Sequence, residues 1–175
     1  MKNEFEMKNL GLMRYFLGIE VKQTQDDMFM SQQKYATDIL KIFKMDRCKP
    51  MDAPIEVGTN LSKDDVGTIV NATLYKQLAG SIMYLIATRP DIAFAASYIS
   101  RFMESPKDYH WKDGKRVLRY IAGTSTYGLS YAASTDSKLV GYIDSDYVGC
   151  IDDQKSTYGY AFLFGRSLIS WSSKK

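Results

Sequence analysis

Residues 74–102 read LYKQLAGSIMYLIATRPDIAFAASYISRF, and this stretch decides the fold of the middle of the chain. As far as Thr88, large apolar side chains recur at the spacing of one helix face. They are Leu74, Leu78, Ile82 and Leu85. The run Arg89-Pro90-Asp91 then interrupts the pattern, and Pro90 stands where a proline opens a second helix. The stretch therefore predicts two helices that meet at a corner.

The segment that follows predicts a third helix with two unlike faces. Ser105 and Pro106 suit an N-cap and a first turn, and the helical pattern runs to about Ala122. Four cations share one face, namely Lys112, Lys115, Arg116 and Arg119. The opposite face carries Trp111, Val117, Leu118 and Ile121. Two interpretations fit the cationic face: the solvated side of a surface helix, or a ridge that contacts the phosphates of a nucleic acid.

The two ends of the chain predict strands. Residues 15–22 alternate with a period of two and meet residues 28–30 through the turn at Asp26, so we expect a β-hairpin. Ser31 suits the N-cap of a helix that ends near Cys48. At the other end, residues 139–144, 157–164 and 168–171 predict a consecutive antiparallel sheet. The fold class is therefore α+β.

These elements divide the chain into four parts. We expect a hairpin and helix over residues 1–48, a linker rich in turn residues over 49–73, a helical region over 74–123 and a three-stranded sheet over 124–175. No apolar run approaches the ~20 residues of a membrane span, and the start has neither a secretory nor a transit-peptide pattern. We therefore expect an intracellular protein with no membrane partner.

Composition excludes several classes of site. The chain has 175 residues, 45% of them hydrophobic, which is enough for a core. It has two cysteines and a single histidine, His110, so a zinc site and a histidine-based nucleophilic site are disfavoured. We expect His110 to make a local hydrogen bond at a helix start rather than to act as a general base. The net charge of +3 is too small to indicate a polyanion partner by itself.

Carboxylates gather near the end of the first predicted C-terminal strand. Asp144 and Asp146 point to one face of a strand, and Asp152 and Asp153 follow in a loop. Hard oxygen ligands of this kind suit Mg²⁺, but acids at strand ends and turns are also common without a metal. The residues alone leave both interpretations open.

Motifs along the whole chain resemble one family, the Pol polyproteins of copia-type retrotransposons. The motifs are Met7-Lys8-Asn9-Leu10-Gly11, Tyr15-Phe16-Leu17-Gly18-Ile19-Glu20, Cys48-Lys49-Pro50, Thr88-Arg89-Pro90-Asp91-Ile92, His110-Trp111, Tyr142-Ile143-Asp144-Ser145-Asp146-Tyr147, Gly159-Tyr160 and Ser170-Trp171. The resemblance implies that residues 1–48 are the end of a reverse-transcriptase palm and its thumb helix. It makes 74–123 the connection region and 124–175 the opening, truncated sheet of a ribonuclease H domain.

The same resemblance implies RNA-templated DNA synthesis and RNA/DNA hybrid processing as the family role, with Mg²⁺ as the cofactor. Asp144 takes the place of the first metal-bridging aspartate of ribonuclease H, as a vestigial site that binds the ion weakly. The polymerase motif Tyr-x-Asp-Asp does not occur in this sequence. We therefore expect an inactive fragment, whose partners are an RNA/DNA hybrid or another nucleic acid and, if the chain is a piece cut from a longer protein, the rest of the Pol polyprotein. The alternatives are a non-catalytic hybrid-binding module that uses Lys112, Lys115, Arg116 and Arg119, or a functionless translated remnant.

Overall fold

The computed structural model describes residues 11–56, 66–132, 138–146 and 156–174. The elements are β1 (Tyr15–Phe16), β2 (Ile19–Gln23), β3 (Asp27–Ser31), α1 (Gln33–Ile42), α2 (Ala72–Leu85), a 3-10 turn (Pro90–Ile92), α3 (Ala93–Ser100), α4 (Asp108–Gly123), β4 (Gly128–Ala132), β5 (Leu139–Asp146), β6 (Thr157–Phe164) and β7 (Ser167–Lys174). The α+β class is confirmed. None of the helices within the described ranges is long and apolar enough to cross a membrane.

The core lies among the four helices. Leu78 and Ile82 of α2, Ile99 of α3, and Leu118 of α4 are fully buried in one cluster that also takes in residues of α1. The predicted corner is confirmed, since Pro90 opens the short 3-10 turn that leads into α3. Burial of this apolar face stabilises the helices more than their intrinsic propensity does.

Gly114 sits where α4 crosses α2. It is buried, and a Cβ at this position would lie 2.5 Å from Cδ2 of Leu78. A glycine in a helix costs about 1 kcal/mol relative to alanine. Gly114 allows α4 to pack closely on Leu78 of α2, which a larger residue would prevent.

A four-stranded antiparallel sheet with the order β1-β2-β3-β4 flanks the helices. The prediction of one strand over 15–22 was wrong, because Leu17 and Gly18 have φ angles of 47° and 79° and form a tight turn between β1 and β2. The hydroxyl of Tyr84 donates to the carbonyl of Leu17 and holds this turn on the helices. The pairing of β3 with β4 was not predicted, and Met30 stands opposite Leu129.

The second sheet has three antiparallel strands in the order β5-β6-β7, as predicted. Ile143 stands opposite Tyr160, and Ala161 stands opposite Trp171. β5 and β7 are longer than the predicted segments 139–144 and 168–171. The likeness of this sheet to ribonuclease H remains a prediction. Asp152 and Asp153 lie outside the described residues.

Several predicted helix starts were displaced. Ser31 is the last residue of β3, so the N-cap of α1 is Gln32, and α1 ends at Ile42 rather than near Cys48. α4 begins after Lys107 rather than after Ser105. The backbone N–H of Lys107 donates to Nδ1 of His110 over 3.0 Å, so the predicted local hydrogen bond of His110 is confirmed. The His110 ring also stacks on Phe102, with 3.8 Å between ring centroids.

Candidate nucleic-acid interface

The amphipathic pattern of α4 places its cations on the outside of the helical core. Val117 and Leu118 are fully buried, while Lys112 is exposed and Lys115 is half-buried. The ammonium of Lys115 lies 6.0 Å from the ring centroid of Trp111, which is within cation–π range. This end of α4 therefore presents Lys112 fully, and Lys115 in part, to solvent.

The other two predicted cations of α4 make contacts within the chain. Residues 49–56, which we call the strap, run across α4 without regular secondary structure. Nε of Arg119 donates to the carbonyl of Lys49 over 2.7 Å, and Nη1 of Arg116 lies 3.5 Å from Oε2 of Glu56. The predicted ridge is thus an exposed Lys112, a half-buried Lys115 and two arginines that contact the strap.

An acidic side chain lies beside this ridge. Burial raises the pKa of Asp113, the cations of Lys112 and Arg116 lower it, and Glu56 raises it again, so that the net pKa lies above its ordinary value. The face of α4 therefore carries charges of both signs.

Asp144 lies far along β5 and does not join the ridge. It lines a cleft of about 590 Å³ between the second sheet and the start of α3, together with rings such as Phe94, Tyr142 and Trp171. The indole N–H of Trp171 donates to the carbonyl of Ile86 over 3.2 Å and ties the sheet to the helices. Tyr142 keeps 63% of its surface exposed, so the cleft is open to solvent.

The cleft gives a divalent ion few ligands. In the part of the chain that the structure describes, no three His, Cys, Asp or Glu side chains come together. A magnesium ion prefers six oxygen ligands, and it keeps several waters when a protein supplies only one or two carboxylates. The described donors around Asp144 do not by themselves make a metal site, so we derive no chemical step through an ion.

The most tightly bound polar cluster centres on Arg89, which the sequence pattern identified only as a helix breaker. Its side chain is 2% exposed and pairs with Asp91 through Nε at 2.8 Å and Nη2 at 2.7 Å. It also donates to the carbonyl and hydroxyl of Thr124 over 2.9 and 2.7 Å. Tyr120 donates to Asp91 over 3.0 Å. The cluster joins the corner before α3 to the end of α4, and the Arg-Pro-Asp spacing was the available signal.

The cluster lowers the pKa of the Asp91 carboxyl group. Burial acts to raise its pKa, but the hydrogen bonds and charge of Arg89 and the hydroxyl of Tyr120 outweigh that effect, so the pKa lies below its ordinary value. A carboxylate whose pKa is lower in the folded state stabilises the protein at neutral pH. That contribution is lost as the pH falls from the unfolded-state pKa through the folded-state value.

We therefore expect the stability difference between the wild type and Asp91→Asn to shrink on acidification. Urea unfolding at about pH 7 and about pH 3 measures that difference. The exposed Asp38 on α1 offers a control, Asp38→Asn, whose difference from the wild type should stay small at both pH values. An Asp91→Asn deficit that is as large in acid as at neutral pH would contradict the assignment.

Sequence comparison shows which known proteins this chain resembles. A profile described as reverse transcriptase (RNA-dependent DNA polymerase) matches residues 1–57. The retrovirus-related Pol polyprotein from transposon RE2 of Arabidopsis thaliana is 37% identical over 175 residues, which is all of this chain and 12% of that protein. The corresponding polyprotein from transposon TNT 1-94 of Nicotiana tabacum is 38% identical over 183 residues, covering 99% of this chain and 14% of that protein. This chain is similar over its whole length to copia-type Pol polyproteins, and its first 57 residues match the reverse-transcriptase family.

The chain also has a shorter relative. An uncharacterized mitochondrial protein of Arabidopsis thaliana is 35% identical over 175 residues, all of this chain and 72% of that protein. The chain thus spans a small part of its polyprotein relatives and most of the shorter one. No solved structure matches it. The reverse-transcriptase profile ends at residue 57, before α4. It includes Glu56 of the strap but not Arg116, Lys112 or Lys115.

Proposed function

We propose that this chain is a segment of a copia-type reverse transcriptase and ribonuclease H polyprotein that binds an RNA/DNA hybrid without catalysing a reaction on it. The observation that carries the proposal is the pair Lys112 and Lys115, which stand on the outer face of α4 and are not held by the strap. Lysines at successive turns of a helix can contact neighbouring phosphates of one strand. The rest of the Pol polyprotein is the second proposed partner, on the strength of the polyprotein relatives.

The inactivity is inferred from two features. The sequence holds no Tyr-x-Asp-Asp motif, and the described donors around Asp144 are too few to clamp the attacking and leaving oxygens of a cleavage reaction. In this proposal Asp144 is a polar group of the cleft and takes no part in a cleavage reaction. The family's RNA-templated synthesis and hybrid cleavage would require residues beyond those that this chain contributes.

A binding titration with a fluorescent RNA/DNA hybrid tests the proposal. The double variant Lys112→Glu/Lys115→Glu should weaken binding at least about tenfold, because two phosphate contacts become repulsions. The slope of log K against the logarithm of the salt concentration should become shallower by about two units. A matched control is Lys22→Glu/Lys76→Glu, which makes the same charge change at two exposed lysines of β2 and α2. Equal weakening in both double variants would mean that only net charge matters.

The same samples, supplied with Mg²⁺, test the inferred inactivity. We expect no cleavage of the labelled hybrid and no primer extension. Cleavage that disappears in Asp144→Asn would overturn the non-catalytic part of the proposal. No binding by the wild type at about 50 mM salt would overturn the binding part and leave the chain as a remnant without a function of its own.

A further inference from the structure

The strap lies beside the cationic face of α4, with Ile55 packed on the helical core and polar contacts at its Lys49 and Glu56 ends. Nε of Arg119 donates to the carbonyl of Lys49, and the backbone N–H of Met51 donates to the carbonyl of Arg119 over 3.4 Å. Pro50 packs so closely on Gly123 that a Cβ there would lie 3.0 Å from the proline ring. The strap therefore follows the last turns of α4.

The strap occupies the groups that a phosphate would use. An arginine side chain recognises carboxylate and phosphate oxygens through the same N–H donors. On α4, Nη1 of Arg116 contacts the carboxylate of Glu56, and Nε of Arg119 contacts a backbone carbonyl. Glu56 and the Lys49 carbonyl thus stand where the oxygens of a nucleic-acid backbone would bind.

The attachment at Glu56 is weak enough to be exchanged. The Glu56 side chain is 71% exposed, and its distance of 3.5 Å from Arg116 is at the outer limit of a hydrogen bond. Exposed ion pairs add little stability and are screened by salt. The neighbouring Asp113 repels Glu56, since the negative charge of Glu56 contributes to the raised pKa of Asp113.

We propose that the strap is an internal competitor of the nucleic-acid backbone, in which Glu56 and the Lys49 carbonyl occupy Arg116 and Arg119 until a phosphate strand displaces them. The inference rests on the proposed function and adds a means of regulating the same site. Lys112 and Lys115 make the first contact, and the two arginines become available as the strap leaves. The protein alone then shows a weaker affinity than its four cations would give.

The test replaces Glu56 and measures hybrid binding. Glu56→Gln keeps the shape of the side chain but removes the charge that holds Arg116, and it should tighten binding about two- to fivefold at low salt. Glu104→Gln, at an exposed acid outside the strap, is the control for net charge and should tighten binding less. Adding Arg116→Gln should cost more affinity in the Glu56→Gln background than in the wild type, because there the arginine is free to bind.

Displacement of the strap also has a direct readout. Hydrogen exchange at the Met51 amide, which is bonded to α4, should accelerate when the hybrid is added. Equal affinities for Glu56→Gln and Glu104→Gln, or slower exchange at Met51 on binding, would overturn the strap proposal while leaving hybrid binding intact. Tighter binding by Glu56→Gln with no effect of Lys112→Glu/Lys115→Glu would support the strap but overturn the assigned lysines. A lack of binding by every variant would overturn both proposals.

Discussion

Replacement of Arg89 by methionine is expected to lower the free energy of unfolding by about 3–5 kcal/mol. The arginine is almost fully buried and supplies donors to Asp91 and Thr124 in one cluster. Methionine fills much of the space but donates no hydrogen bond, so the Asp91 carboxylate keeps only the Tyr120 hydroxyl and the Thr124 carbonyl loses its arginine donor. Urea unfolding at neutral pH, followed by circular dichroism, measures the change.

Two further variants separate charge from geometry at this site. Arg89→Lys retains the positive charge but lacks the planar fork that pairs with both oxygens of Asp91, so we expect it to lose much of the same stability. Arg47→Met is the control, since the Arg47 side chain is 96% exposed and its ion pair with Asp46 is long at 3.9 Å. A loss below about 1 kcal/mol for Arg89→Met would mean that water or rearranged side chains satisfy the cluster.

Replacement of Trp171 by alanine is expected to cost about 2–3 kcal/mol, less than for a fully buried tryptophan because the ring is only half-buried. The indole of Trp171, in β7, bonds to the carbonyl of Ile86 at the end of α2. Its loss removes apolar contact and leaves the cleft beside Asp144 without one of its walls. Urea unfolding by circular dichroism again provides the measurement.

Trp171→Phe divides this effect into its parts. The phenylalanine keeps most of the apolar contact and loses only the hydrogen bond, so about 1 kcal/mol should disappear. Ile169→Ala, on the same strand but at a residue half exposed to solvent, is the control and should cost less than Trp171→Ala. If Trp171→Ala and Trp171→Phe were equally stable, the ring would not anchor the sheet.

Local patterns predicted most of the helices and the second sheet. The apolar spacing from Leu74 to Leu85 and the proline at position 90 carry their information within a few residues, and so do the alternating strands β6 and β7. The pairing of β3 with β4 escaped prediction because β4 is short, and its partner lies far away in sequence. The turn at Leu17 was hidden because a two-residue turn leaves the alternation of side chains intact.

The candidate interface was predicted in part for the same reason. Helical spacing placed the four cations of α4 together, which depends only on the period of the helix. The strap's contacts with Arg116 and Arg119 depend on how an irregular segment folds back on that helix. The Arg89 cluster depends on the meeting of a corner with the end of α4, so its burial could not be deduced from an Arg-Pro-Asp run.

The pairing of β3 with β4 also determines when the amino-terminal sheet can form during synthesis. Met28 stands opposite Tyr131, so β3 leaves the ribosome long before its partner does. Until then the edge of β3 is open to pair with other chains. The reverse-transcriptase profile ends at residue 57, so the part of the chain that it covers does not complete its own sheet. Translation as far as β4 is the earliest stage at which the four-stranded sheet has all of its strands.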